Sequence, residues 1–319
     1  MSTRPRIGLI GAGSMGRNHA RIIAQSSRAE FSVIIDPLEE SGAPLAVEHD
    51  TQWSPTIDAI ADVDAVIVSA STEHHYRIAK DVIAAGRPLL IEKPVCPSLE
   101  QTTEILQLSE AAGTPIMCGF LERYNPAVMV ARRMIDDPLY VRAERHSPYA
   151  PRIKTGVAWD LLVHDVDLIT QIFGGSEPDA INVEVGHFHP SSAPDAEDVV
   201  DVSLRFAEQG LASASASRLG QRKVRSLVVQ TLDDMIEVDL LRRGVTLFRH
   251  TTIDADRPGG SGFRQVTEME VPEITGREPL ATQFDRFLDL IAGDVDPDIE
   301  RHSILPAHRI VDAALATKR

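Results

Sequence analysis

The hydrophobic rhythm of the chain changes once. Through the first third, short solid apolar runs alternate with helix-like stretches. The runs are Ile7-Gly8-Leu9-Ile10, Phe31-Ser32-Val33-Ile34-Ile35, Ala65-Val66-Ile67-Val68, Leu89-Leu90-Ile91 and Ile116-Met117-Cys118. Solid runs bounded by turn residues suit parallel strands covered on both faces. Between them, helices are expected over residues 17–23, near 44–49, over 75–85 with a stop at Gly86, and from Ser98 to Gly113. Ser98 with Gln101 three residues on is a capping box. Thr72 reads as the N-cap of the helix that follows. Repeated β-α units predict a doubly wound parallel sheet over residues 1–120.

Beyond residue 120 the pattern is different. Helices fit residues 126–135 and 159–173. Strands then follow in series over 180–188, Val199–Phe206, 211–218, 224–231, 235–240 and 245–250. Val199–Phe206 ends in apolar/polar alternation, the mark of an antiparallel sheet with one open face. Residues 191–197 and 256–262 read as polar loops, and a last helix starts near Pro306. The expectation is an α+β second domain over residues 121–319, built on a large open, mainly antiparallel sheet. A broad sheet face carrying apolar residues invites pairing, so a homodimer or homotetramer is expected.

Composition narrows the function classes. With 32 Lys+Arg against 47 Asp+Glu the net charge is −15, which disfavours nucleic acid and anionic membrane surfaces as partners. Two cysteines, Cys96 and Cys118, suggest a reduced compartment rather than a disulfide framework. No apolar run is long enough to span a membrane, and the first strand starts too early for a signal peptide to precede it, so the cytoplasm is the expected location.

The first strand runs into Gly11-Ala12-Gly13-Ser14-Met15-Gly16. Strand, G-x-G-x-x-G and helix in that order form the context of a dinucleotide site. Gly11 allows the sharp turn, Gly13 allows a pyrophosphate near the backbone, and Gly16 lets helix and sheet approach. Ala12, Ser14 and Met15 complete the turn at the helix N-terminus, which favours anions. Asp36 ends the second strand, about twenty residues on, where a carboxylate bonds a ribose 2′-hydroxyl. A 2′-phosphate would be repelled there, so NAD is expected rather than NADP. Ser71, Thr72 and His75, after the third strong strand, are placed on the nicotinamide side. Glu92-Lys93-Pro94 stands at the C-terminal end of a parallel strand. Glu92 and Lys93 point opposite ways on extended chain, so one can face cofactor and the other substrate. The Lys93–Pro94 bond is a candidate cis bond.

Asp160 and His164, four apart, share a face if 159–173 is one α-helix. A carboxylate that orients a histidine suits it to take a hydroxyl proton as hydride departs. A structural pair in a core is the competing reading. No metal is expected: His164 and Asp165 project differently and no third ligand is evident. Arg123 either pairs a substrate phosphate or forms a hinge salt bridge with a nearby carboxylate.

Gly11-x-Gly13-x-x-Gly16, Glu92-Lys93-Pro94, Arg123-Tyr124-x-Pro126 and Asp160-x-x-x-His164-Asp165 occur in the order seen in the Gfo/Idh/MocA oxidoreductases, which the chain resembles over nearly its whole length. The resemblance implies a Rossmann domain followed by an open-sheet domain, bound NAD, and a sugar, cyclitol or sugar-nucleotide substrate. It implies Lys93, Asp160 and His164 as the catalytic set, with Arg123, Tyr124 and Trp159 toward the substrate. Within the family, residues 119–128 and 160–167 are similar to UDP-N-acetylglucosamine 3-dehydrogenases, which implies hydride transfer from C3 of the sugar. Trp159 stands next to the aspartate, in the stretch where the family usually carries a glycine. The alternatives are an inositol or cyclitol dehydrogenase, and a dinucleotide-binding sensor without turnover.

Overall fold

The computed structural model describes residues 4–151, 153–257 and 260–316. The first unit opens with β1 (Arg6–Ile10), α1 (Ser14–Gln25), β2 (Glu30–Ile35), α2 (Glu39–Glu48) and β3 (Gln52–Ser54). It continues with β4 (Ala65–Val68), α3 (Thr72–Ala84), β5 (Leu89–Ile91), α4 (Leu99–Ala112) and β6 (Ile116–Cys118). The six strands pair in the order β3-β2-β1-β4-β5-β6, all parallel. Their side chains are buried on both faces through the middle of the sheet, which is why they read as solid apolar runs. The order reverses between β1 and β4, and in such sheets the ligand crevice lies beyond the strand ends at that point.

Local signals explain most boundaries. Ser98 Oγ accepts from Gln101 N at 3.2 Å, and Gly113 ends α4 with a left-handed φ of 63°. The reciprocal half of the capping box is not made, since Gln101 Oε1 has no hydrogen-bond partner among the described residues. Two expectations need correction. The N-cap of α3 is Ser71, and Thr72 is the first helical residue. Helix α2 starts at Glu39, ahead of the expected 44–49, and carries Pro44 inside it. Glu39 and Glu40 in its first turn suit the positive helix end.

The second unit starts at Glu122. It contains α5 (Pro126–Met134), β7 (Tyr140–His146), a π-type turn over Ala158–Leu162, and α6 (Val163–Ile172). Then come β8 (Ala180–Gly186), β9 (Val199–Phe206), β10 (Gly210–Ser217), β11 (Val224–Gln230), β12 (Asp234–Asp239), β13 (Gly244–Arg257) and β14 (Gly260–Glu270). The sheet order is β14-β13-β12-β11-β7-β10-β9-β8, antiparallel except where β7 and β10 run parallel. One face is apolar: Val200, Val202, Leu204, Phe206, Ala212, Ala214, Ala216, Leu227, Val229, Ile236 and Val238 are all buried. Helix α6 packs on β7 and β10, and α5 on β12 and β13.

Two expectations fail in this unit, and one strand is added to them. The stretch 159–173 is not one α-helix: Val163 N bonds back five residues to Ala158 O, so a π-type turn precedes α6. Strand β7 was not expected, because Arg142, Glu144 and Arg145 hide its alternation; Val141, Ala143 and Arg145 are the buried positions. The expected loop at 256–262 is the end of a long hairpin, with Asp256 paired to Ser261 and Arg257 to Gly260. Residues 258 and 259 lie outside the described ones.

The chain closes with α7 (Pro279–Ala292), α8 (Pro297–His302) and α9 (Leu305–Ala316). The expected boundary, with everything from 121 to 319 in the second domain, is revised here. Glu278–Arg309 belongs to the first unit, and the chain from Ile310 to the second. Helix α7 packs on α1, where Arg21 makes a two-pronged pair with Glu278 at 2.6 and 3.0 Å and Arg28 reaches Asp289 at 2.6 Å. Arg301 Nε donates to Ser109 Oγ, and Val95 N donates to His308 Nε2.

Candidate active site

The glycine turn forms as its residue types require. Gly11 has φ 98°, a left-handed value that favours glycine, and a Cβ there would fall 2.6 Å from Ala70 N. A Cβ on Gly16 would fall 2.0 Å from Gly11 O, whereas one on Gly13 would meet nothing within 4 Å. Gly13 is the N-cap of α1, and no side chain caps the helix. Its first amides are therefore left as donors facing a cleft, the arrangement that takes a phosphate.

That cleft, of about 810 Å³, gathers most of the predicted cofactor residues: Gly11, Gly13, Ser14, Met15, Asp36, Ser71, Thr72, His75, Glu92 and Lys93 all line it. Ala12 is engaged differently. Its amide donates to Asp36 Oδ2 at 2.8 Å, while Asp36 Oδ1 accepts from Leu38 N at 2.9 Å. The carboxylate thus ties the glycine turn to the end of β2. Each of its oxygens keeps a further lone pair for a ribose hydroxyl. His75 is buried, with Nδ1 2.9 Å from Pro94 O and Nε2 2.9 Å from Ala70 O, so it braces two loops of the cleft. Arg77, which the sequence did not single out, also lines the cleft.

Glu92-Lys93-Pro94 follows β5, and the Lys93–Pro94 bond is cis, as expected. Glu92 Oε1 lies 2.8 Å from Nε2 of buried His19 on α1. The sequence reading missed His19. It lies one helical turn past the glycines, but nothing local marks its partner, 73 residues away.

In the second unit, Asp160 sits on the π-type turn and His164 on the first turn of α6, both half-buried. Asp160 Oδ2 accepts from Arg218 Nη2 at 2.8 Å, and Arg218 is buried. Arg218 follows β10, and the sequence reading missed it. Trp159 is half-buried beside Asp160, and Tyr124 half-buried on a short 3₁₀ turn. Arg123 takes the salt-bridge option: its guanidinium makes a two-pronged bond with buried Asp167, at 2.9 and 2.5 Å. It is therefore held by a carboxylate of its own unit.

A buried charge cluster lies next to His164 in sequence. Asp165 accepts two bonds from Arg145, at 2.9 and 2.8 Å, and Glu122 accepts a third at 2.9 Å. Burial opposes the charge on Arg145, but Asp165 and Glu122 more than offset it and raise its affinity for the proton. Burial pushes Glu122 upward, yet Arg145, Asn125 and Arg225 hold it below the usual glutamate range.

Both cysteines are buried thiols, and burial pushes Cys96 up to about 12. Among the described residues no three His, Cys, Asp or Glu side chains group to hold a metal, and no helix is long and apolar enough to cross a membrane.

Comparison with known proteins agrees with this arrangement. The profile of the oxidoreductase family with an NAD-binding Rossmann fold, Gfo/Idh/MocA, matches residues 5–120, and that of the Gfo/Idh/MocA C-terminal domain matches residues 128–236. The chain is 29% identical over 290 residues to a UDP-N-acetylglucosamine 3-dehydrogenase of Acidithiobacillus ferrooxidans, covering 90% of this chain and 88% of the relative. It is 24% identical over 324 residues to an inositol 2-dehydrogenase of Rhizobium meliloti, covering 97% and 96%. A solved structure of the Acidithiobacillus ferrooxidans UDP-N-acetylglucosamine 3-dehydrogenase superposes with a TM-score of 0.83 at 28% identity, covering 98% of both chains. A glycine turn closed by Asp36, a Glu-Lys-Pro at the same cleft and matches across both domains make this chain a member of the Gfo/Idh/MocA oxidoreductases, NAD-binding dehydrogenases that act on CH–OH groups.

Proposed function

We propose that the chain oxidises a secondary hydroxyl of a sugar or sugar nucleotide, with C3 of a UDP-N-acetylglucosamine-like substrate as the leading case. The observation that carries the reading is Lys93 lining the same cleft as the glycine turn. Held by the glycine turn and Asp36, NAD would supply the hydride acceptor for the carbinol carbon. His164 takes the hydroxyl proton on its imidazole. The Lys93 ammonium donates to the same oxygen and offsets its developing negative charge. Asp160, fixed by Arg218, orients the base. Asp36, with Glu39 and Glu40 following it, favours NAD over NADP.

A cyclitol is the second reading, supported by the full-length likeness to an inositol 2-dehydrogenase. The same lysine and histidine serve it. The outer face of the sheet, where Leu211 is 53% exposed, supports a homodimer or homotetramer, which light scattering would read directly. Net charge and buried thiols support a cytoplasmic setting without nucleic-acid or membrane partners.

The test is NADH formation with UDP-sugars, free sugars and inositols, for the parent chain and its Lys93→Ala and His164→Ala variants. Turnover should appear with one class. His164→Ala should lower kcat by about 10²–10⁴ with NAD affinity nearly unchanged. Full kcat in His164→Ala would remove the assigned base.

A further inference from the structure

The π-type turn that carries Asp160 has no local N-cap: Val157 occupies that position and offers no side-chain oxygen. Its amides are answered from 39 residues away. Glu197, 2% exposed on the loop before β9, accepts Ala158 N on Oε1 at 2.9 Å, and its carbonyl accepts Val157 N at 3.1 Å. A carboxylate there both satisfies an orphan donor and complements the positive end of the helix. The fit is tight. A Cβ on Gly156 would fall 2.1–2.3 Å from the Glu197 carboxylate carbon and oxygens. Residue 156 must therefore lack a side chain while Glu197 holds its position.

The next residue extends the same support. Asp198, also buried, accepts the amides of Phe188 and His189 on Oδ2, and its carbonyl accepts Arg218 N at 2.8 Å. Arg218 in turn holds Asp160. The dipeptide Glu197-Asp198 thus reaches Asp160 by two routes, through the start of its turn and through Arg218.

We propose that Glu197 is a positioning residue for the reaction, acting through the Ala158 amide to fix Asp160 and the first turn of α6, and that Gly156 is a glycine because of it. The proposal rests on the assignment of Asp160 and His164 to the chemistry. Displacing a catalytic group by about 1 Å costs on the order of a hundredfold in rate.

The experiment compares Glu197→Ala, Glu197→Gln, Gly156→Ala and the Gly156→Ala/Glu197→Ala double variant, with Asp160→Asn as control. NADH formation with the best substrate of the panel above gives kcat and KM. Exchange of the Ala158 amide with deuterated solvent reads the cap without any substrate. Glu197→Ala and Gly156→Ala should each lower kcat about ten- to a hundredfold, with KM and NADH affinity within about threefold. Both should speed exchange at Ala158. Glu197→Gln keeps an acceptor oxygen and should stay near the parent. The double variant should be no worse than Glu197→Ala, because the clash disappears with the carboxylate. Slow Ala158 exchange in Glu197→Ala, full kcat in that variant, Glu197→Gln as impaired as Glu197→Ala, or multiplied losses in the double variant would each overturn the proposal. Full kcat in Asp160→Asn would instead overturn the assignment of Asp160, leaving the exchange result to judge the cap alone.

Discussion

Asp165→Asn isolates a charge without changing shape, and the surroundings of Asp165 set the size of its effect. Asp165 and Arg145 are 1% and 2% exposed and share two bonds of 2.8 and 2.9 Å. Removing one partner of such a pair costs about 3–5 kcal/mol, chiefly because the other charge stays buried. Glu122 remains 2.9 Å from the guanidinium, so the loss belongs at the lower end, about 3 kcal/mol. For a unit of this size, each kcal/mol moves the melting temperature by about 2–4 °C, which gives a fall of about 6–12 °C. Thermal unfolding followed by circular dichroism at neutral pH reads it. The double replacement Arg145→Met with Asp165→Leu should be more stable than Asp165→Asn, since it strands no cation. Glu122 would still be met by Asn125 Nδ2 at 3.1 Å and Arg225 at 3.5 Å. A shift for Asp165→Asn within about 2 °C, or a double variant less stable than the single, would refute the argument.

Asp36→Ala should relax the preference for NAD over NADP. It should also weaken binding of both, because Ala12 N loses its acceptor and the glycine turn its tie to β2; titration of protein fluorescence with NADH and NADPH measures this, and an unchanged ratio would remove Asp36 from the ribose site. Acid should destabilise the second unit partly through Glu122. Its folded-state pKa lies below the unfolded value, so its stabilisation is complete above about pH 4.3 and fades as pH falls toward the depressed value. Urea midpoints in Glu122→Gln should therefore start lower at neutral pH and fall less on acidification than in the parent; parallel falls would contradict the direction.

Much of the first unit was legible in the sequence. Five of the six parallel strands are short apolar runs that end in turn residues, so the run itself is the signal; β3, Gln52–Ser54, carries no such run and no such signal. Gly11, Gly13, Asp36 and Lys93 were readable as one cleft because the doubly wound topology brings the ends of β1, β2 and β5 to one edge. The alternating strands β9 and β12 were legible for the same local reason, one buried face and one wet one.

Local pattern did not reveal what depends on distant partners. Strand β7 places Arg145 where an apolar residue would belong, and Asp165 and Glu122 make that tolerable. Helix α7 has a clear apolar face in Leu280, Phe284, Phe287 and Leu288, yet nothing in that pattern says it belongs with α1 of the first unit. Arg123 offered a salt bridge with an unnamed carboxylate on sequence, and the folded chain identifies that carboxylate as Asp167, 44 residues on. Asp160 stands out in the sequence as a candidate, but its partner Arg218 lies 58 residues away, and the π-type turn that carries it is capped from 39 residues away. A hydrophobic period is a property of adjacent residues and survives in the sequence. A buried charge is stable only beside the group that answers it, and that group is brought there by the folded chain alone.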